Sequence, residues 1–229
     1  MTILFNANEK QILKLMSLKP MSVSELASSL SLSESEINTY LNHFQSLGLT
    51  YQCIENKYSL AQIWDEIDFN EILATIAQHH LHFHHFDVID STNTYLKQPM
   101  ISPITCCFSE MQTQGRGRFG RHWSSPYGQN IYLSMRLKMA IPSQKLQGLS
   151  SVIALAVSEA ILQLHPKLHL QIKWPNDLMY QGKKLAGILI EIVEIEAHAC
   201  DLIIGIGLNV NSEPSHMQDI SQPWTSLYQ

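Results

Sequence analysis

The chain has 229 residues, 45% of them apolar, with 15 Lys plus Arg against 20 Asp plus Glu and a formal net charge of −5. That length fits one or two domains with a real core, and the negative balance excludes a chain drawn by overall charge to nucleic acid or to an anionic membrane. Cysteines 53, 106, 107 and 200 form no Cys-x-x-Cys pair, no run of about 18 apolar residues is present to span a bilayer, and Met1 to Lys10 is not a charged-then-apolar leader, so four reduced thiols in a cytoplasmic protein are expected.

The first 64 residues read as a small helical domain. Ile12, Leu13, Leu15 and Met16 recur at helical spacing before Pro20. Two capping boxes follow, Ser22 with Glu25 and Ser33 with Glu36, each a serine with a glutamate three residues on. The second starts a helix with Ile37, Leu41, Phe44 and Leu47 on one face, and Gly48 stands where a left-handed cap is wanted. Leu49 to Leu60 reads as a hairpin, so residues 1–64 are expected to form a winged helix-turn-helix domain. Such a domain often puts its last helix in the DNA major groove, but Ser33 to Gly48 contains no Lys or Arg, and residues 1–64 hold four lysines against five glutamates. Phosphate neutralisation supplies most non-specific affinity, so DNA binding through Asn38, Asn42 and Gln45 is expected to be weak; the alternative is a dimerisation, regulatory or vestigial appendage.

Ala61 to Gln78 reads as a helical connector, with residues 65–80 separating the first domain from a second over 81–229. Leu81 to Ile89 is strand-like and ends in the polar turn Asp90-Ser91-Thr92-Asn93. Histidines 79, 80, 82, 84 and 85 lack acidic or cysteine partners at ligand spacing, so they read as a solvated strand edge, and no permanent metal site is expected. The chain holds four arginines, and three fall in Gly115-Arg116-Gly117-Arg118-Phe119-Gly120-Arg121. Glycines admit close backbone approach and guanidinium forks bind oxyanions in two-point geometry, so this loop points to an anionic ligand, a nucleotide above all. Gly115, Gly117 and Gly120 match the dinucleotide fingerprint G-x-G-x-x-G. His122-Trp123-Ser124-Ser125-Pro126 cannot begin the helix that fingerprint requires, however, and no acidic residue follows about 20 positions on. The chain has no P-loop sequence either.

Beyond the loop, Asn130 to Met139 alternates, with Ile131, Leu133, Met135, Leu137 and Met139 on one face of a half-buried strand. Ser143 to His165 reads as an apolar helix ended by Pro166. Strands are expected at His169 to Trp174, Lys184 to Val193 and Asp201 to Val210. This order gives an α+β fold, a winged helix-turn-helix followed by a mixed β-sheet catalytic domain with helices packed on one side.

Five segments in order resemble the biotin protein ligases of the bifunctional type that carries an N-terminal winged helix. They are Asp90 to Asn93, Gln112 with the Gly115 to Arg121 loop and Trp123, Lys173-Trp174-Pro175-Asn176-Asp177, Lys184 to Glu191, and Gly205-Ile206-Gly207-Leu208-Asn209-Val210-Asn211. The resemblance implies a class II synthetase-like catalytic domain and an AMP-forming ligase. Biotin and ATP, with Mg2+, would give biotinyl-5′-adenylate, and a lysine of the biotin carboxyl carrier protein of acetyl-CoA carboxylase would then attack it. A carboxylate meeting an α-phosphate is anion against anion, which fixed cations relieve. The resemblance places Arg116, Arg118 and Lys184 there, with Asp177 as a further catalytic residue. It assigns Ser91, Thr92, Asn93, Gln112, Arg116, Gly117, Arg118, Lys184 and Gly187 to biotin, and Arg118, Arg121, Trp123, Asn176 and Asn209 to ATP. Because an acyl adenylate hydrolyses in water, the glycine loop is expected to be mobile when empty and to close over the intermediate. A homodimer and operator DNA are further partners the resemblance implies, and no membrane is. Two features depart from the family pattern: the chain is expected to be C-terminally incomplete, and its recognition helix is acidic and free of arginine. The competing readings are a DNA-binding repressor without ligase activity and a lipoate or octanoate protein ligase; for the latter, Cys106 and Cys107 precede the loop without an activating base.

Overall fold

Reciprocal caps start the first three helices. The Asn6 side chain accepts from the Glu9 N–H while the Glu9 carboxylate accepts from the Asn6 N–H at the start of α1 (Ala7–Leu18). Ser22 with Glu25, and Ser33 with Glu36, do the same for α2 (Val23–Leu30) and α3 (Glu34–Ser46). Each pair satisfies donors that a helix start leaves without partners. Ile12, Leu13, Met16, Leu26, Ile37, Leu41 and Phe44 are buried where the helices meet. Gly48 leaves α3 at φ +83°. Strand β2 (Met21–Ser22) and the hairpin β3 (Gln52–Ile54) and β4 (Lys57–Ser59) then form a three-stranded sheet in the order β2-β4-β3. The structure, a computed structural model, describes residues 2–60, 64, 67–76, 80–102, 104–196, 198–212, 214, 220 and 222–228. Of the expected connector, residues 67–76 and 80 are described, with α4 (Phe69–Ile76) among them, and His79 lies outside the described residues.

The remaining strands make one mixed sheet. β1 (Thr2–Ile3), β5 (His82–Ile89), β6 (Thr105–Gln112), β7 (Asn130–Met139), β8 (Leu170–Lys173), β9 (Asp177–Tyr180), β10 (Lys183–Ile195) and β11 (Cys200–Asn209) lie in the order β1-β5-β6-β7-β11-β10-β9-β8. Among these strands β5 and β6 pair in parallel and the other neighbours are antiparallel. β1 joins the first helices to this sheet, and Phe5 and Phe44 share a core cluster with Val88 and Met111. The Phe5 N–H donates to Asp87 Oδ2 at 2.8 Å, and the Tyr127 hydroxyl donates to Asp87 Oδ1 at 3.3 Å.

Two helices cover opposite faces of the sheet, which corrects the expectation that they pack on one side. Leu96 of α5 (Thr92–Leu96) clusters with Ile89, Cys107 and Ile203, whereas Ala154 of α6 (Leu149–Leu164) clusters with Ile188 and Ile204. Ile203 and Ile204 are neighbours on one strand and so point to opposite faces. The long apolar run advertised α6, but α5 is only five residues long and sits inside a polar turn.

β7 holds a second reversal. Its buried residues are Asn130, Tyr132, Ser134 and Arg136, while the apolar set Ile131, Leu133, Met135, Leu137 and Met139 is only half-buried. The polar face is stable inside because its groups are paired. Arg136 forks onto Asp201, with Nη2 to Oδ2 at 2.7 Å, and donates through Nη1 to the Leu96, Gln98 and Ile101 carbonyls at the end of α5. The histidine run is also more packed than a solvated edge: the Tyr95 hydroxyl lies 3.1 Å from His84 Nδ1, and His85 stacks on Phe69 with centroids 4.1 Å apart. Among the described residues no group of three His, Cys, Asp or Glu side chains is placed to hold a metal ion.

Candidate active site

A polar wall is built where β5 ends. Ser91 caps α5, and the Thr92 N–H and hydroxyl donate to Gln112 Oε1 at 3.0 and 3.1 Å. Thr92 Oγ1 is 2.7 Å from Ser134 Oγ, and Ser134 donates to Asn93 Oδ1 at 2.6 Å. Asn93 Nδ2 donates to Glu191 Oε2 at 2.8 Å, and Gln112 Nε2 donates to Ser125 Oγ at 3.0 Å. Ser91, Thr92, Asn93 and Ser134 are buried, so the network holds their orientations in a site of low dielectric. Gly205 makes room for it, since a Cβ there would collide with the Asn93 amide.

Facing this wall is the arginine loop, folded as a hairpin. Trp123 N–H donates to the Gly115 carbonyl at 2.9 Å and Gly117 N–H to the Arg121 carbonyl at 2.7 Å. The tip, Phe119 and Gly120, has φ of 58° and 71°. Arg116 Nη2 donates to Thr94 Oγ1 at 2.8 Å, and Arg118 Nη1 donates to Asn176 Oδ1 at 3.1 Å. Lys184 Nζ pairs with Asp177 Oδ1 at 2.7 Å and stands 5.3 Å from the Trp123 ring centroid. That ring lies across Gly187 and Gly207, where any Cβ would meet it.

Between these walls is a cavity of about 500 Å³. Every residue that the sequence reading assigned to biotin, ATP or catalysis lines it, from Ser91 to Asn209, with Arg121 at the exposed mouth. Among the described residues, Arg116, Arg118, Arg121, Lys173 and Lys184 line it against the carboxylate of Asp177, a field that favours an anion. At the cavity, the buried Trp123 Nε1 and Asn209 Oδ1 have no hydrogen-bond partner among the described residues, and Asp177 Oδ1 has only its ion pair with Lys184. An unpaired buried donor and acceptor is costly unless a ligand completes it. Asn38, Asn42 and Gln45 lie elsewhere, exposed on the outer side of α3.

Ser134, Glu191, Ser125, Thr94 and Lys97 join the site without a role expected from the sequence. Ser134 was recoverable, because a strand whose apolar residues alternate also has an opposite face, here Asn130, Tyr132, Ser134 and Arg136. Lys97 carried no such signal; only the fold brings it within 2.7 Å of Glu191 Oε1.

The chain belongs to the biotin/lipoate A/B protein ligase family, whose sequence model matches residues 85–209. It is 32% identical over 206 residues to the bifunctional ligase/repressor BirA of Escherichia coli (strain K12), covering 89% of this chain and 63% of that protein. A biotin acetyl-CoA-carboxylase ligase of Mycobacterium tuberculosis is 37% identical over 122 residues, 52% of this chain and 43% of the relative. Among solved structures, a biotin protein ligase from Aquifex aeolicus in complex with biotin and ATP aligns with a TM-score of 0.52 at 35% identity, covering 64% of this chain and 60% of that one. A Leishmania major biotin protein ligase in complex with biotin gives 0.53 at 26% identity, covering 64% and 63%. The chain thus spans less than two thirds of the length of these relatives.

Proposed function

We propose that this chain carries an ATP-dependent biotin protein ligase, forming biotinyl-5′-adenylate and transferring biotin to a lysine of a biotin carboxyl carrier protein of acetyl-CoA carboxylase. The observation that carries the reading is the division of one cavity into a neutral hydrogen-bonding wall and a cationic wall. Ser91, Thr92, Asn93 and Gln112 form a wall of donors and acceptors held in fixed orientation, which suits a ureido ring that offers both. Arg116, Arg118 and Lys184 line the same cavity, where a biotin carboxylate would meet the α-phosphate, and the exposed Arg121 suits pyrophosphate. The unpaired Asn209 Oδ1 suits the amino group of adenine, with Trp123 and Asn176 nearby. Mg2+ would arrive with the nucleotide and neutralise its phosphates, and Asp177 is the lining carboxylate able to meet it. The backbones of Gly117 and Gly187 complete the biotin side.

The element order α1, α2, α3, β3, β4 supports a winged helix-turn-helix over 1–64, a connector over 65–80 and the ligase domain over 81–229. A repressor role, with a homodimer on operator DNA, finds support in the name of the Escherichia coli relative and in the exposure of Asn38, Asn42 and Gln45. The absence of Lys and Arg from Ser33 to Gly48 makes that binding weak. The octanoate-transfer reading needs a reactive thiolate. Cys106 and Cys107 are buried, and burial pushes both thiols up, which disfavours it. The four cysteines are free, in keeping with the cytoplasm, and among the described residues no helix is long and apolar enough to cross a membrane.

The test is pyrophosphate release by the purified chain with MgATP and either biotin or lipoate. Biotin-dependent release is expected; release with lipoate alone reverses the assignment.

A further inference from the structure

Glu191, on β10, is where the two walls of the cavity meet. Its Oε2 accepts from Asn93 Nδ2 at 2.8 Å and lies 3.6 Å from Arg116 Nη2, while Oε1 accepts from Lys97 Nζ at 2.7 Å. We infer that Glu191 is a positioning residue that latches the arginine loop through Arg116 while fixing the orientation of Asn93, so that one carboxylate links the two walls. The identity of what each wall binds rests on the ligase reading; the latch does not.

Three observations carry the inference. A carboxylate can only accept, so it fixes which end of the Asn93 amide faces it, and Ser134 donates to the other end at 2.6 Å. Asn93 is thereby oriented from both sides. Second, the carboxylate is half-buried, and Lys97 and Arg116 share it with side chains still 39% and 40% exposed. Burial pushes the Glu191 carboxyl up, but the hydrogen bonds from Lys97 and Asn93 and the charges of Lys97 and Arg116 outweigh this and hold it below the ordinary value. It is therefore ionised through the neutral range. Third, Arg116 also donates to Thr94 Oγ1 on α5, so its guanidinium is moored at two points on the polar wall rather than on the loop itself. An incoming anion competes with Glu191 for Arg116, so the carboxylate sets how readily the loop moves onto a ligand. Without the charge, Lys97 and Arg116 face each other with no counter-ion, and like charges at this range repel.

Limited trypsin cleavage of the ligand-free protein reads the latch directly. Glu191→Gln keeps the side-chain shape and removes the charge; cleavage at Arg116 should rise about fivefold, the equivalent of one moderately exposed ion pair. Lys97→Met leaves Arg116 as the only cation on the carboxylate, and its cleavage should slow. These opposite signs distinguish a latch from general loosening, and the exposed Lys97 position keeps the test open if Glu191→Gln unfolds. In the biotin-dependent reaction, Glu191→Gln should raise KM for biotin about tenfold with kcat within about threefold, because orientation of Asn93 is lost while the cations remain. Unchanged cleavage in Glu191→Gln, faster cleavage in Lys97→Met, or a fall in kcat at constant KM overturns the inference. Faster cleavage in Glu191→Gln from a chain that binds no biotin leaves the latch standing and removes the ligase reading instead.

Discussion

Lys184 Nζ lies 2.7 Å from Asp177 Oδ1, with both side chains largely buried at the cavity wall. The pair holds a cation beside the ligand space without letting water screen it, and such a fixed charge contributes most where negative charge builds up in a transition state. Lys184→Ala should therefore lower the rate of adenylate formation by about 100- to 1,000-fold while biotin affinity changes little. Single-turnover pyrophosphate release set beside calorimetric biotin binding separates the two. Equal losses in binding and rate would assign Lys184 to ground-state binding instead.

Arg118 acts differently because its anchor is Asn176, across the cavity from its own hairpin. That hydrogen bond ties the loop to the segment before β9, so the residue serves retention as well as charge. Arg118→Ala should release the adenylate before transfer, giving biotin labelling of unrelated proteins mixed with the enzyme. Incubation with albumin and streptavidin blotting measures it. Retained adenylate and unlabelled albumin would mean that the Arg118–Asn176 hydrogen bond does not close the site.

The parts legible in the sequence were those encoded locally. Capping pairs such as Ser33 with Glu36 place helix starts because the hydrogen bonds span three residues. Many of the residues lining the cavity, from Ser91 to Asn209, were legible because they fall in short contiguous motifs, whereas Ser134 was not. What escaped depends on distant partners. β6 was not read as a strand because Thr105 to Gln112 is buried on both faces and lacks alternation. The polar face of β7 is stable inside only through distant partners, as in the pairing of Arg136 with Asp201, 65 residues away. Glu191 stood inside a recognised segment, yet its work depends on Lys97 and Arg116, which no spacing rule connects to it.

Gly205 and Gly207 hold the floor of the cavity open in different places. A Cβ at 205 would run into the Asn93 amide, and one at 207 into the Trp123 indole. Gly205→Ala should displace Asn93 and weaken biotin binding by about 10-fold or more, the cost of leaving a buried polar group without its partner. Gly207→Ala should tilt Trp123 and raise KM for ATP more than for biotin. Matching effects of the two substitutions on both substrates would show that the floor moves as one piece.

Asp87 binds the N-terminal segment to the sheet, and its ionisation sets a pH dependence. Burial is the largest influence and raises its carboxyl above the ordinary 3.8, despite the opposing hydrogen bond from the Phe5 N–H and the charge of Lys10. A raised carboxyl means that the folded protein binds the proton more tightly than the unfolded chain. The stabilisation from that tighter binding is full below the unfolded value and is lost as pH rises through the folded one. Asp87→Asn keeps a carbonyl acceptor for Phe5 without a buried charge, so it should be the more stable protein at pH 7, with the advantage shrinking as pH falls towards 4. Asp87→Ala leaves the Phe5 N–H unpaired and should cost about 1–3 kcal/mol at every pH. Urea denaturation of the three proteins across that range decides the matter: an advantage of Asp87→Asn that stays constant with pH would show that the ionised carboxylate carries no penalty in the fold.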